Sequence, residues 1–184
     1  LSEAEARLDD GVDPGVVLFM QGQVRNTAGE PLAGAVVDVW HANTGGTYSY
    51  FDSTQSEFNL RRRIVTDAEG RYRFRSIVPS GYGCPPDGPT QQLLDQLGRH
   101  GQRPAHIHFF ISAADHRHLT TQINLDGDEY LHDDFAYATR DELIAKITFS
   151  DDQARAAAYG VSGRFAEIDF DFTLQSSAQP QEQQ

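Results

Sequence analysis

The strongest chemical signal in the chain is a pair of histidines separated by one residue, in Arg103-Pro104-Ala105-His106-Ile107-His108. The apolar run that follows, Phe109-Phe110-Ile111, reads as a buried strand, and on a strand residues i and i+2 face the same way. His106 and His108 then project together, their Cα atoms about 7 Å apart from the strand rise, close enough to share one metal ion. A bare His-x-His also suits two surface histidines, but buried imidazoles need partners and a metal is one. A glutamate shortly after the pair would suit a ferrous site, yet Phe109 to Ala114 contains no carboxylate. Asp115 opens a turn with His116 and His118, which read as surface residues. Asp115 with the histidine pair stays open as a zinc or ferrous hydrolase site. The remaining hard donor is a phenolate, which favours iron(III). Free tyrosine ionises only near about 10, so a strong Lewis acid must hold it deprotonated at neutral pH. Two tyrosines stand in constrained settings: Tyr48 in Gly45-Gly46-Thr47-Tyr48-Ser49-Tyr50-Phe51-Asp52, with Tyr50 as a local competitor, and Tyr82 in Pro79-Ser80-Gly81-Tyr82-Gly83-Cys84-Pro85-Pro86. Glycines before Tyr48, and glycine and proline on both sides of Tyr82, fix such loops at unusual angles. Tyr72, Tyr130, Tyr137 and Tyr159 read as packing residues.

The elements that would position these groups are mostly strands. Val16 to Val24 is apolar and then alternating. Ala35 to Trp40 sets Val36, Asp38 and Trp40 on one face against Val37 and Val39 on the other. Arg63 to Thr66 and Tyr72 to Arg75 flank Asp67-Ala68-Glu69-Gly70, which reads as a hairpin. Ala105 to Ser112 and Leu119 to Asn124 form a further pair, and Ile144 to Phe149 and Arg164 to Leu174 complete the set. Helix is scarce. Thr90 as N-cap and Gly98 as stop bound one helix, Ala4 to Leu8 suggests a helical turn, and Asp141 to Lys146 is an alternative helical start. Many short strands with Gly/Pro turns predict a mainly β chain, an antiparallel β-sandwich with long loops and one or two short helices.

Composition excludes several classes. The 184 residues suit one domain. A net charge of −12 argues against nucleic acid, whose phosphates need basic surfaces. Mean hydropathy is −0.52, and no apolar run approaches the roughly 20 residues of a spanning helix. With neither a membrane segment nor a signal peptide, the expectation is no membrane and a cytoplasmic location. Cys84 is the only cysteine, so no internal disulfide forms, and it reads as structural. A start at Leu1 instead of methionine points to sequence upstream.

Taken together, Gly22 to Trp40, Gly46-Thr47-Tyr48-Ser49, Gln55 to Arg63, Gly81 to Pro86, Leu97 to Phe110 and Leu119 to Arg140 resemble the intradiol ring-cleaving dioxygenases. The long interval between Tyr82 and His106 resembles the catechol 1,2-dioxygenase branch rather than the protocatechuate one. The resemblance implies one non-haem Fe(III) per chain, held by Tyr48, Tyr82, His106 and His108. It implies Arg103 and Gln122 on the substrate side, Tyr82 leaving the metal to take a proton from the diol, and Phe135 and Ala136 lining the ring pocket. Chlorocatechol-cleaving relatives tend to carry cysteine at the position of Ala136. The substrates implied are a small aromatic diol and dioxygen, with catechol opened to cis,cis-muconate in aromatic-compound catabolism. Residues 1–15 would be a stub of the family's helical N-terminal region, 16–175 the catalytic domain and 176–184 a flexible tail. A homodimer is implied where the upstream helical region is present. Gly22 to Val37 also resembles the opening hairpin of transthyretin-like and carboxypeptidase-associated sandwich modules. On that alternative the histidines and tyrosines would be incidental to a non-catalytic binding module.

Overall fold

A computed structural model describes residues 3–177 of the chain. In chain order its elements are β1 (Glu5–Arg7), β2 (Val17–Asn26), β3 (Val36–His41), β4 (Arg61–Val65), β5 (Arg71–Ile77), β6 (Tyr82–Gly83), α1 (Pro89–Gln96), β7 (Gln102–Arg103), β8 (His106–Ser112), β9 (Leu119–Leu125), β10 (Ile144–Ala145), β11 (Thr148–Ser150), α2 (Gln153–Ala158), β12 (Phe165–Asp169) and β13 (Phe172–Leu174). One sheet runs β1-β5-β2-β12-β11, with β13 also on β2. The second runs β10-β9-β8-β3-β4, and β6 and β7 form a separate two-stranded ribbon.

The core lies between the two large sheets, and period-two alternation puts it there. Leu18, Met20 and Val24 of β2, Phe74 of β5 and Ile168 of β12 meet Val37 and Val39 of β3, Ile107, Phe109 and Ile111 of β8 and Ile123 of β9. Strands that bury every second side chain lay these rows face to face. The opposite face of β8 is thereby fixed: it carries His106, His108 and the partly exposed Phe110. The mainly β sandwich expected from the sequence is present. Its pairing is mixed, because β1 lies parallel to β5, β12 and β13 parallel to β2, and β10 parallel to β9.

Several local expectations are corrected. Ala4 to Leu8 is not a helical turn. Glu5–Arg7 pairs with β5, while Val65 donates to the Glu3 carbonyl (3.0 Å) and Leu60 to the Leu8 carbonyl (2.9 Å), so this segment ties the two sheets together at one edge. The strands flanking Asp67 to Gly70 are not a hairpin. β4 pairs with β3 and β5 with β2, so the turn carries the chain from one sheet to the other. The helix begins two residues earlier than a Thr90 N-cap would place it, with Pro89 in its first turn and Gly88 as N-cap, where no side chain caps it. Gly98 follows it at φ +65°, as a helix stop requires. Asp141–Leu143 forms a single 3₁₀ turn. Ile144 to Phe149 is divided between the two sheets as β10 and β11. α2 had no apolar periodicity to announce it; Asp152 caps it, its carboxylate accepting from the Ala154 and Arg155 amides. The expected tail begins at 176, where His116 makes a β-bridge with Ser176; residues 178–184 lie outside the described residues.

Arg164 to Leu174 is also interrupted, and Gly22 is part of the cause. At Phe170 the chain jogs against β2: the Phe170 amide donates to the Gln21 carbonyl (2.9 Å), and the Tyr72 hydroxyl donates to the Phe170 carbonyl (2.6 Å). A Cβ on Gly22 would stand 1.8 Å from that same carbonyl oxygen. Gly22→Ala is expected to destabilise the fold by roughly 3 kcal/mol, the upper part of the usual range for overpacking. Urea unfolding followed by circular dichroism measures it, and an unchanged midpoint would show that the jog relaxes freely.

Candidate metal centre

The site is built on the outer face of the five-stranded sheet. On β8, His106 and His108 project away from the core, as their spacing requires. Across the ladder His108 pairs with Trp40 on one side and Gln122 on the other, and His106 pairs with Asn124. Two further pieces close over this row. The β6–β7 ribbon places Tyr82 opposite Arg103. The loop after β3 brings Tyr48: Asn43 Oδ1 accepts from the Gly45 and Thr47 amides (3.0 and 2.9 Å), and Asp52 accepts from the Thr47 hydroxyl (2.8 Å). Gly46 takes φ +76°, and a Cβ there would approach Tyr82 Cβ to 2.8 Å, so glycine lets the two tyrosine loops touch.

Four side-chain atoms converge. Tyr48 Oη lies 3.0 Å from Tyr82 Oη, Tyr82 Oη 3.2 Å from His106 Nε2, and His106 Nε2 3.1 Å from His108 Nε2. Two ligands about 2.1 Å from one ion, at right angles to each other, are about 3.0 Å apart. The donor set therefore has the separations of groups around a single cation. Its protonation agrees. His106 Nδ1 donates to the Pro104 carbonyl (2.7 Å), which leaves the lone pair on Nε2. Tyr82, His108 and Arg103 Nη1 (3.2 Å) all crowd that one acceptor. A cation at the centre resolves the crowding, because each converging oxygen and nitrogen becomes a ligand.

Electrostatics favour neutral imidazoles and, without a metal, a neutral Tyr48. Burial is the main cause in each case. It lowers His106 to about 4 and His108 to about 3, with the neighbouring Arg103 charge acting in the same direction. It pushes Tyr48 far above the ordinary phenol range, with the Tyr82 hydrogen bond adding to it. Ionising Tyr48 thus needs a strong positive charge beside its oxygen, such as a bound metal ion.

The structure separates the sequence candidates. Tyr48, Tyr82, His106 and His108 come together. Tyr50 is 76% exposed and packs on Phe51 instead. Asp115 lies in the turn beyond the far end of β8, away from His106. Among the described residues no group of three or more His, Cys, Asp or Glu could hold a metal, so the hydrolase alternative lacks its ligands. Arg103 Nη2 donates to Gln122 Oε1 (3.0 Å), so these two stand side by side. Tyr48, Tyr82 and His108 border a cleft of about 690 Å³ that also touches Trp40 and Phe110. Phe135 and Ala136 do not line that cleft; they adjoin Arg103 through Asp134. Of the remaining tyrosines, Tyr72 is in the core, whereas Tyr137 is 70% exposed and does not pack there.

Two contributors were missed in the sequence. Trp40 stacks on His108, with ring centroids 5.0 Å apart and planes 10° apart. Its place on the outward face of β3 was the available signal. Asp134 is 4% exposed and paired with Arg103, and nothing in His132-Asp133-Asp134-Phe135 distinguishes it from a solvated acidic turn. Asn124 is buried on the same face, and its Nδ2 has no hydrogen-bond partner among the described residues.

Similarity to known proteins agrees with this geometry. A family model described as "Dioxygenase" matches residues 1–176. With its mainly β fold and its two-phenol, two-imidazole cluster, the chain belongs to the intradiol dioxygenase family. Within the family it falls in the catechol 1,2-dioxygenase branch. It is 61% identical over 165 residues to catechol 1,2-dioxygenase 2 of Acinetobacter lwoffii, covering 89% of this chain and 60% of the relative. It is 57% identical over 172 residues to catechol 1,2-dioxygenase of Acinetobacter baylyi, covering 92% and 55%. The crystal structure of catechol 1,2-dioxygenase from Pseudomonas arvilla C-1 superposes with a TM-score of 0.92 at 72% identity, covering 96% of this chain and 58% of that one. The chain thus spans a little over half the length of these relatives. No helix among the described residues is long and apolar enough to cross a membrane.

Three imidazoles, those of the buried His41 and His106 and the half-buried His108, are held neutral, with His41 also lowered to about 4 by burial. Unfolded, each would titrate near about 6.5, so below that pH the unfolded chain binds more protons and folding stability falls. Metal-free protein is expected to lose melting temperature steadily from about pH 6.5 down to about pH 4, as the linkage relation requires. A melting temperature that stays level across this window, at constant ionic strength, would mean the imidazoles are not held neutral.

Proposed function

We propose that this chain carries the ferric site and catalytic face of a catechol 1,2-dioxygenase, which cleaves the ring between two adjacent hydroxyls using dioxygen. The observation that carries the reading is the convergence of two phenol oxygens and two imidazole nitrogens at successive separations of 3.0, 3.2 and 3.1 Å. Both the donor number and the donor type suit iron(III), since two phenolates offset two of its three charges. A non-catalytic sandwich module has no need for four such groups to meet in one place.

The reaction is an addition: catechol and one dioxygen molecule together contain all the atoms of cis,cis-muconic acid. The chemistry supplied by bound ferric iron is the Lewis acidity that ionises the diol and the electronic coupling that opens a ring carbon to dioxygen. This chain's residues do the rest. His106 and His108 stay neutral and oriented, one by the Pro104 carbonyl and the other by Trp40. Tyr48, half-buried and touching only the other phenol through its hydroxyl among the described residues, is the permanent anionic donor. Tyr82 touches both Tyr48 and His106 through its oxygen, and it takes a diol proton when it gives up its place. Arg103 offers Nη1 to negative charge that develops on the substrate, in a site where such a donor is worth far more than in water. Gln122 holds Nη2 of the same guanidinium. Phe135 and Ala136, on the Arg103 side, are the proposed contacts of the ring.

The test begins with iron loading. Protein reconstituted with ferric iron should show a phenolate charge-transfer band in the visible, quench the emission of Trp40 and consume oxygen with catechol. Tyr48→Phe should lose the band. Arg103→Ala should keep iron and band but lose turnover about 100-fold, the usual cost of removing one preorganised donor. A protein that binds no iron, or a Tyr48→Phe variant with an unchanged band, would overturn the assignment.

A further inference from the structure

Asp134 has no assigned role, and its surroundings are unlike those of an ordinary surface ion pair. It is buried, and each of its two oxygens accepts twice. Oδ1 takes Arg103 Nε (3.2 Å) and the Ala136 amide (3.1 Å). Oδ2 takes Arg103 Nη2 (3.4 Å) and the Ala138 amide (3.1 Å). One carboxylate therefore joins the guanidinium to the loop that holds Phe135 and Ala136. Burial opposes its ionisation, but the Arg103 bonds and loop amides outweigh this and hold it below the usual carboxylate range.

The guanidinium is fixed on three sides. Nε and Nη2 face Asp134, Nη2 also donates to Gln122, and Nη1 alone points at His106 Nε2. If a metal takes that lone pair, Nη1 loses its acceptor while the other nitrogens keep theirs. Its hydrogens are then directed into the metal site, where Tyr82 is the remaining side-chain partner until it gives up its place. We infer that Asp134 is a positioning residue: it aims Arg103 Nη1 at the bound diol and locks that aim to the ring-contacting loop. The inference rests on the dioxygenase reading of the site and adds to it the group that makes Arg103 effective. An asparagine cannot substitute, because its Nδ2 would replace an acceptor that faces two donors. A neighbouring charge pair also matters electrically. Without Asp134, the Arg103 charge would stand unbalanced beside a site that must accept a cation.

The experiment is a double-mutant cycle on the iron-loaded full chain with Arg103→Ala, Asp134→Asn and the combination, read by two signals. The first is the visible band of the catechol complex without oxygen. A hydrogen bond from Nη1 stabilises the diol's donor orbitals, so its loss moves the band to longer wavelength. Arg103→Ala and Asp134→Asn should shift it alike, and the combination no further. The second is turnover. Asp134→Asn should lower kcat about 30-fold with KM changed less than about threefold, the pattern of an interaction made chiefly in the transition state, and it should add no loss to Arg103→Ala. Should Asp134→Asn fail to fold, Asp134→Glu takes its place, because it keeps the charge but displaces both oxygens. A band that moves in Arg103→Ala but not in the Asp134 variant, or shifts that add in the combination, overturns the inference alone. An Arg103→Ala protein with unchanged band and turnover would instead remove the role of Arg103 on which the inference depends.

Discussion

Four electron-rich atoms brought within hydrogen-bond distance, in a place largely removed from water, form an arrangement that a shared positive charge stabilises. Lone pairs repel one another, and burial removes the water that would otherwise separate them. Hydrogen bonding among the four groups offsets this only in part. The Tyr48 hydroxyl then hydrogen-bonds to Tyr82, and three donors compete for one nitrogen of His106. Much of the surrounding architecture acts to keep this unfavourable cluster assembled.

The sandwich provides the rigidity. Ile107, Phe109 and Ile111 anchor β8 in the core, so His106 and His108 have no freedom to rotate toward it. The neighbours across the ladder add lateral support, with Trp40 stacked on one imidazole and Asn124 beside the other. His41, one residue beyond Trp40, faces inward and reaches Ser76 of the opposite sheet at 2.6 Å. The end of β3 is therefore pinned to both sheets where it leads into the Tyr48 loop. Tyr82 and Arg103 come from a ribbon of only two residues per strand, too short to be stable alone. That ribbon depends on Gly46 and Gly81 lying close against it, and on Asp134 holding the Arg103 side chain.

The sequence disclosed what is local. The i, i+2 rule on β8 and the alternation on β3 gave the right faces, and the glycine-bearing loops of Tyr48 and Tyr82 marked those residues out. What it could not disclose was which partner each strand chooses. The segment around Asp67 has the composition of a hairpin turn, yet its flanking strands belong to different sheets. Turn chemistry is local, whereas pairing is decided by which apolar rows meet across the core. Ala4 to Leu8 has adequate helix formers, but Leu8 is fully buried and the backbone groups there find partners in both sheets, so tertiary contacts override the propensity. Asp134 was illegible for a related reason. A buried carboxylate and a solvated one are spelled the same way, and only the approach of Arg103, thirty-one residues away in the chain, distinguishes them.

The two phenols differ in ways that matter for the proposed chemistry. Tyr48 hydrogen-bonds through its hydroxyl to the other phenol, and burial strongly disfavours its charged form in the absence of a metal. Its loop, held by the Asn43 and Asp52 hydrogen bonds to Thr47, places it to stay on a metal once ionised. Tyr82 stands at the junction of the cluster, in reach of Tyr48 and His106 and opposite Arg103 on its ribbon. A released Tyr82 oxygen can be received by neighbours already in place, and its departure opens a place beside the guanidinium. A diol entering there would meet the metal and Arg103 together. The asymmetry between a held phenolate and a releasable one follows from the strand geometry: Tyr48 lies in a hydrogen-bonded loop, and Tyr82 lies on a small ribbon beside the very residue that would meet the substrate.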